Sequence, residues 1–438
     1  MRRRSTSVAI GPTEIAGFYS NLSRGLAEIG YSPRTYFLSK HPFGYEDPFR
    51  PKSRLLAAAS RDNGRLSRSM PLWRIAKIVF ARFLLVIEIA YRSKWIILTF
   101  GSNYFRGFGY LDLLIFRVCG CRVIAFVSHG SEARHPLWNG FELAAVGPST
   151  HDFSEMQSTI KKLHRRLRWL AILSDALVAS PRRCHLLPIG RYINQDSIGL
   201  PNRVDIAGVK GGGDESAHVE GQDVIAVPLT ARTRVILHAP SNPEAKGTSL
   251  IVDAVGALKD EGFQVELDLL TNVPSTEVAT RLALCDFVVD QCFGDGPASG
   301  LAVEAACMSK PTVLGVMCQL NPKHFEVTGL FPAVRSSPDQ MLDNIRLLLT
   351  DPSLAHRVGL EARGFVEDHF APSKVATRLM HAIETPGDSM FWFNSADSGP
   401  PVSAGRSAAD TARIVHEYVA QYGWEATRLN WRHLPLDL

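Results

Sequence analysis

Three short stretches of the chain carry groups suited to a negatively charged, hydroxyl-rich ligand. In HAPSNPEAKGT (238–248), Lys246 and Gly247 lie in a turn of little other charge, between the apolar run RVIL and the helical pattern SLIVDAVGALKDEG. A helix entry offers unpaired N–H groups and the positive end of the helix dipole, and a lysine there adds a point charge able to neutralise a phosphate. In DQCFGDGPASGLAVEAACMSKPTV (290–313), a strand ends in Asp290, a loop with three glycines follows, and a helix begins near Ser299. Glu304, one turn into that helix, is placed to accept two hydroxyls of a ribose. The backbone N–H groups of Ser299, Gly300 and Leu301 could hold a diphosphate. In SHGSEAR (128–134), His129 closes a buried strand, where it could contact a sugar or assist proton transfer. Each stretch has a plainer reading: a solvated lysine beside a cap, a turn with a capping carboxylate, a structural histidine. Taken singly, none decides.

The elements that must position these groups read as two α/β units. Residues 1–203 open with the strand SVAIG, a loop, the helical FYSNLSRGLAEIG and a second strand, RTYFLS. KWIILTFG (94–101), helical YLDLLIFRVCG, CRVIAFVSHG (121–130), a helix over 155–172 and the apolar DALVAS complete that unit. Residues 204–231, with a triple glycine and no sustained period, read as an interdomain linker. Over 232–385 the rhythm repeats with RVILHA, VELDLL, DFVVDQ and PTVLGV, then turns helical. Strands this rich in branched apolar residues, alternating with helices, predict doubly wound parallel sheets covered on both faces. The remainder, 386–438, reads as a loop-like tail with one terminal helix over ADTARIVHEYVAQYGW. Two such units leave a cleft into which their strand-to-helix loops project.

Bulk composition bounds the function classes. The chain has 438 residues, 45% hydrophobic and 21% charged, which suits a soluble two-domain protein. No run reaches the roughly 18 apolar residues of a spanning helix, and the basic opening MRRRSTSVAIG lacks the apolar core of a signal peptide. A cytoplasmic protein is therefore expected. Seven scattered cysteines without a CxxC pair fit a reduced compartment, and VCGCRV reads as buried small apolar side chains. The net charge of +5 conceals an asymmetry: residues 1–200 hold 29 Lys+Arg against 13 Asp+Glu. Eleven of those cations fall in 50–94, around the helical PLWRIAKIVFARFLLVIEIAYRSK. Its charged edge either faces water or rests on an anionic membrane. Nucleic acid is a poorer partner, because aromatics are not interleaved with the cations and no zinc or helix-turn-helix pattern occurs.

Together, HAPSNPEAKGT, the strand-loop-helix of 286–313, and the ending LLLTDPSLAHRVGLEARGFVEDHFAPSKVATRLMHAI resemble the glycosyltransferases of family 4. GPTEIAGFYSNLSRGLAEIGY resembles that family's first strand-loop-helix. The resemblance covers about residues 7–385. It implies a GT-B fold, two Rossmann-like domains facing each other across a cleft that holds a nucleotide-sugar, and transfer with retention of anomeric configuration. It also implies that charge on the leaving diphosphate meets protein cations and helix N-termini rather than a metal, with no cofactor beyond the donor. On this resemblance Glu304 matches the second glutamate of a Glu-x7-Glu motif and holds the ribose. Lys246 matches the diphosphate lysine, and His129 with the loop Gly11 to Gly17 forms the first-domain side of the donor site. Three positions depart from the pattern. The first glutamate would fall at Gly296, beside Asp295; SNPEA (241–245) lacks the arginine that usually accompanies the lysine; and Ser309 replaces a glycine.

The expectation is thus a transferase moving a sugar to a glycan or lipid-linked acceptor in surface polysaccharide synthesis, peripheral at the inner membrane face. His129 and Lys246 are its catalytic candidates. Gly11, Gly17, Lys246, Gly247, Asp295, Ser299, Gly300, Leu301 and Glu304 are its donor-binding candidates. A sugar-nucleotide epimerase and a non-catalytic sugar-nucleotide-binding protein on the same scaffold are the alternatives.

Overall fold

Short apolar runs, each followed by an amphipathic helix, build the first unit of the computed structural model. The structure describes residues 5–61, 70–105, 109–140, 153–188, 190–202, 232–317, 320–386 and 388–429; the expected linker at 204–231 lies outside them. In chain order the unit comprises β1 (Ser7–Gly11), α1 (Phe18–Glu28), β2 (Ser32–Thr35), α2 (Arg54–Ala59), α3 (Leu72–Arg92), β3 (Trp95–Leu98), α4 (Leu111–Val118) and β4 (Arg122–Phe126). It continues with α5 (Ser154–Leu173), β5 (Ala176–Ala179), β6 (Arg191–Asn194) and the single turn α6 (Gln195–Ile198). β1 and β5 are buried at every position, which is why SVAIG and ALVA carry only small and branched residues.

The second unit comprises β7 (Arg234–His238), α7 (Pro243–Lys246), α8 (Thr248–Asp260), β8 (Val265–Leu269), α9 (Ser275–Leu284), β9 (Phe287–Val289) and α10 (Gly300–Cys307). β10 (Thr312–Gly315), β11 (Val334–Ser336), α11 (Met341–Thr350) and α12 (Pro352–Phe365) follow. α13 (Pro372–Glu384), β12 (Trp392–Asn394) and α14 (Ala408–Tyr422) complete the described elements.

The sheets run β12-β6-β5-β4-β3-β1-β2 and β11-β10-β9-β7-β8, with every neighbour parallel except β12 on β6. Helices cover both faces of each. In the first, α2, α3, α4, α5 and α14 share one core, and α1 and α13 share the other. In the second, Ile251, Leu258 and Ile345 pack on one face and Leu282 and Ala305 on the other. The architecture is therefore the expected pair of doubly wound α/β units. Strand order reverses between β1 and β3 and between β7 and β9, so the loops leaving β1, β7 and β9 open on a crevice at the carboxyl ends.

The structure corrects the reading at three places. The second strand is Ser32–Thr35 rather than RTYFLS, whose Tyr36, Phe37 and Leu38 are buried beyond the strand end. The stretch 372–385, read as the end of the second unit, packs on the first, and the tail from 386 is more than a loop with one helix. α13 buries Val375, Leu379 and Ile383 against Ile10, Phe18 and Leu22 of the first unit. β12 then extends the first sheet, and α14 buries Ile414, Val415 and Tyr418 in its larger core. Periodicity marks the apolar face of such a helix but does not say which sheet it covers. β6, β11 and β12, of three or four residues, are too short to show a period at all.

α1 lies against the start of α13 at Gly25, where a Cβ would overlap the Pro372 carbonyl. Gly25→Ala should therefore destabilise by about 1–3 kcal/mol from overpacking, despite the ~1 kcal/mol that alanine gains in a helix. A urea midpoint equal to or above that of the wild type would mean that α13 does not pack there.

Candidate functional site

Two cavities of similar size lie at opposite ends of the second sheet. One, of about 320 Å³, sits at the amino ends of its strands, among Arg234, Phe287 and Pro311. The other, of about 330 Å³, lies at the carboxyl ends between the two units. Parallel sheets gather ligand chemistry at the carboxyl ends, and the second cavity brings together His129, Lys246, Asp295 and Glu304.

The first-unit wall begins with the loop after β1. The buried Glu14 carboxylate accepts from the backbone of Ile15, Tyr19 and Ser20 at 2.7, 3.1 and 2.8 Å, and from the Ser20 hydroxyl at 2.7 Å. It caps α1, so Ile15 and Ala16 are held at the cleft rim. Gly17 starts α1 at φ +75°, and a Cβ there would come within 2.9 Å of the Tyr45 ring. Gly11 has no room for a side chain against the Tyr104 hydroxyl and the Tyr36 carbonyl.

His129 follows β4 and lines the cleft. Its Nε2 lies 2.8 Å from the Tyr19 hydroxyl, which itself accepts from the Phe100 N–H at 3.2 Å. Among the described residues Nε2 is the one acceptor within reach of the buried phenol's proton, so the phenol donates to Nε2 and Nδ1 is the protonated nitrogen. Burial, and secondly the Arg183 charge, lower the imidazole to about 3. His129 is thus a neutral hydrogen-bond donor and cannot take a proton at Nε2.

Three arginines complete this wall. Arg134 donates from Nη2 to Asp295 Oδ2 at 2.5 Å. Arg183 reaches the same carboxylate through Nε at 2.9 Å and Nη2 at 2.8 Å, and its Nη1 donates to the Ser128 carbonyl at 2.8 Å. Burial opposes ionisation of Asp295, but the charges of Arg134 and Arg183 overcome it and hold the carboxyl well below its ordinary range. Arg182 makes a bidentate pair with Asp196 at 2.7 and 3.0 Å. A Cβ on Gly296 would lie 3.3 Å from Arg183 Nη2 and 3.8 Å from Arg182 Nη2. The position where a carboxylate was expected thus faces the arginines, and its neighbour Asp295 supplies one to Arg134 and Arg183.

The second-unit wall is built from the loops after β7 and β9. Lys246 ends α7, whose cap is Asn242 accepting from Ala245 N–H at 3.1 Å. Its ammonium donates to Gln291 Oε1 and stands 3.8 Å from Asp290 Oδ1. Gly247, at φ +73°, starts α8; a Cβ there would meet Cys292 at 2.8 Å. Ser299 caps α10, accepting from Ala302 N–H at 3.2 Å. Gly300 and Leu301 then keep first-turn N–H groups that no intrahelical carbonyl can reach. Glu304, one turn on, is pushed up to about 7 by burial first and the nearby Asp290 charge second. Ser309, where the family pattern has glycine, adopts φ +56°, the left-handed region that glycine enters without strain.

The structure thus brings His129, Lys246, Asp295, Ser299, Gly300 and Glu304 to one cavity. Gly11, Gly17, Gly247 and Leu301 are not among its lining residues; the three glycines shape the turns behind it, and Leu301 packs into a small core. Arg134, Arg182 and Arg183 escaped the sequence reading. For Arg182 and Arg183 the local signal was PRRC, two cations directly after the buried strand ALVA.

No protein-family model matches the chain, and no match emerges among curated proteins. Among solved structures, it is similar to a sucrose-phosphate synthase from Thermosynechococcus elongatus, at 12% identity and TM-score 0.45, covering 88% of this chain and 99% of that one. It is also similar to HepE from Anabaena in complex with UDP and glucose, at 8% identity and TM-score 0.47, covering 87% and 99%. A glycosyltransferase from Rickettsia africae is similar at 11% identity and TM-score 0.44, covering 86% and 97%. At these identities and scores the likenesses carry nothing about chemistry, which rests on this chain's own residues.

Two outcomes follow from the geometry. Asp295→Asn leaves two buried guanidinium groups without their counter-charge and should destabilise the closed arrangement by about 3–5 kcal/mol. Small-angle scattering would then report a larger radius of gyration, whereas an unchanged profile would show that other contacts hold the units. Tyr19→Phe removes the donor to His129 Nε2 and should move the ring toward the other tautomer. Histidine ¹⁵N shifts identical to wild type would contradict that assignment.

Proposed function

We propose that the chain is a nucleotide-sugar-dependent glycosyltransferase. The observation that carries this reading is the convergence, on one wall of the interdomain cleft, of Lys246, the first turn of α10 and Glu304. A ribose on the Glu304 carboxylate would put the diphosphate over the N–H groups of Gly300 and Leu301, within the field of Lys246. The ammonium would exchange Gln291 for a phosphate oxygen, meeting charge that builds as the glycosidic bond breaks. His129, donating from Nδ1, would orient a sugar hydroxyl rather than act as a base. The oxygen of the departing diphosphate then remains to take the acceptor's proton, which accords with retention of configuration. The acceptor in this reading is a hydroxyl of a glycan or lipid-linked intermediate of surface polysaccharide synthesis, reached from the cytoplasmic side.

One observation favours a second reading. Asp295 already occupies the donors of Arg134 and Arg183 that could otherwise grip a diphosphate. A non-catalytic sugar-nucleotide-binding protein could dispense with them.

A thermal-shift panel of UDP, GDP, ADP and their sugar conjugates tests both. A ligand at 100 times its dissociation constant should stabilise by about 2.7 kcal/mol, an effect lost in Glu304→Ala. Lys246→Ala should lower turnover by about 100- to 1,000-fold, the scale of one lost transition-state donor. Nucleotide binding without turnover toward any acceptor would favour the second reading; no binding at all would sink both. Because Glu304 titrates near 7 and accepts hydroxyls best when ionised, affinity for a nucleotide-sugar should rise from pH 6 to pH 8. The sugar diphosphate has no proton to lose in that range, so a slope surviving in Glu304→Gln would assign the titration elsewhere.

A further inference from the structure

Away from the cleft, the outer surface of the α3–α4–α5 layer combines exposed apolar side chains with clustered cations. On α3, Leu72 is 83% exposed, Trp73 63% and Phe80 62%; Val118 on α4 is 88% exposed and Ile172 on α5 62%. Such a patch on one layer marks a contact surface rather than scattered exposure. α4 packs between α3 and α5, and the Tyr110 ring that leads into α4 stacks on Trp169 of α5 at 6.2 Å. Exposed apolar side chains thus stand on each of three neighbouring helices. Lys77 lies over the Trp73 ring at 4.8 Å, placing a cation beside an exposed aromatic.

At its α5 edge this surface opens into a cavity of about 480 Å³, lined by Lys161, His164, Arg165, Arg168, Trp169, Ile172 and Arg428. Among the described residues no acidic side chain lines it, and Arg165, Arg168 and Arg428 make no ion pair. The charges are close enough that Arg168 and Arg428, after burial, lower His164. Concentrating cations this way costs repulsion energy that an anion in the cavity would offset.

We propose that this face docks on an anionic lipid bilayer, with the exposed side chains of α3, α4 and α5 entering the interface and the α5 cavity receiving a phosphate-bearing headgroup. Aromatic and aliphatic tips beside basic residues are the chemistry of an interfacial surface, apolar into the acyl boundary and cations at headgroup level. The surface is wider than residues 50–94, because α4, α5 and Arg428 also contribute to it. Docking goes beyond the glycosyltransferase reading and does not rest on it, since it is read without nucleotide or turnover.

Co-sedimentation of the full chain with phosphatidylglycerol-containing vesicles, against phosphatidylcholine alone, tests the proposal. Binding should require the anionic lipid and weaken at high salt. Each basic residue near such a surface is worth about five-fold in partition, so Arg165→Gln with Arg168→Gln should lower it by about 25-fold. Trp73→Ser with Phe80→Ser should lower it too, at an unchanged melting temperature, because both side chains are exposed. Equal binding by the arginine pair, or none to anionic vesicles, would overturn the proposal. Stabilisation by inorganic phosphate that depends on Arg168, without vesicle binding, would overturn it in favour of a soluble phosphate ligand. Salt-sensitive binding of single-stranded RNA without vesicle binding would assign the face to nucleic acid instead.

Discussion

Two guanidinium groups of one sheet unit close on a single carboxylate of the other, and the shape of the cleft depends on that contact. Arg134 stands on the loop after β4 and Arg183 on the loop after β5, while Asp295 stands on the loop after β9. All three side chains are largely withdrawn from water, at 8%, 17% and 5% exposed. A buried ion cluster of this kind adds little net stability over an apolar contact, but it tolerates almost no displacement. It therefore fixes where the His129 wall stands relative to the Lys246 and Glu304 wall.

Within each wall, placement is local. Lys246 is presented by a one-turn helix that Asn242 caps and Gly247 ends, and Glu304 by a helix that Ser299 caps. Those caps, with the glycines that turn left-handed, are written in consecutive residues. Lys246, Ser299 and Glu304 were accordingly legible in the sequence. His129 was legible as a strand-end residue, but its protonation was not. That depends on Tyr19, 110 residues earlier, and on the Phe100 amide that occupies the phenol oxygen.

What the sequence withheld is what long separation hides. The Arg134 and Arg183 contacts to Asp295 span 161 and 112 residues, and nothing local to SEAR or PRRC points to a distant aspartate. The doubly wound sheets were legible because buried parallel strands force runs such as VILH and ALVA. The destination of residues 372–422 was not, since an amphipathic helix declares only that it covers something. The outer face of α3 was read as one helix edge; only assembly with α4 and α5 joins it to the cations of α5.

The return of the chain to its first unit has a consequence for synthesis. Until α13, β12 and α14 are made, the first sheet lacks its edge strand and its cores lack Val375, Leu379, Ile414 and Tyr418. The unit made first is therefore completed last, after the second has emerged. Domains generally fold as units in the order they leave the ribosome. Here the amino-terminal unit must wait with part of its apolar surface open, and the growing chain passes through a stage at which a chaperone has a defined surface to hold.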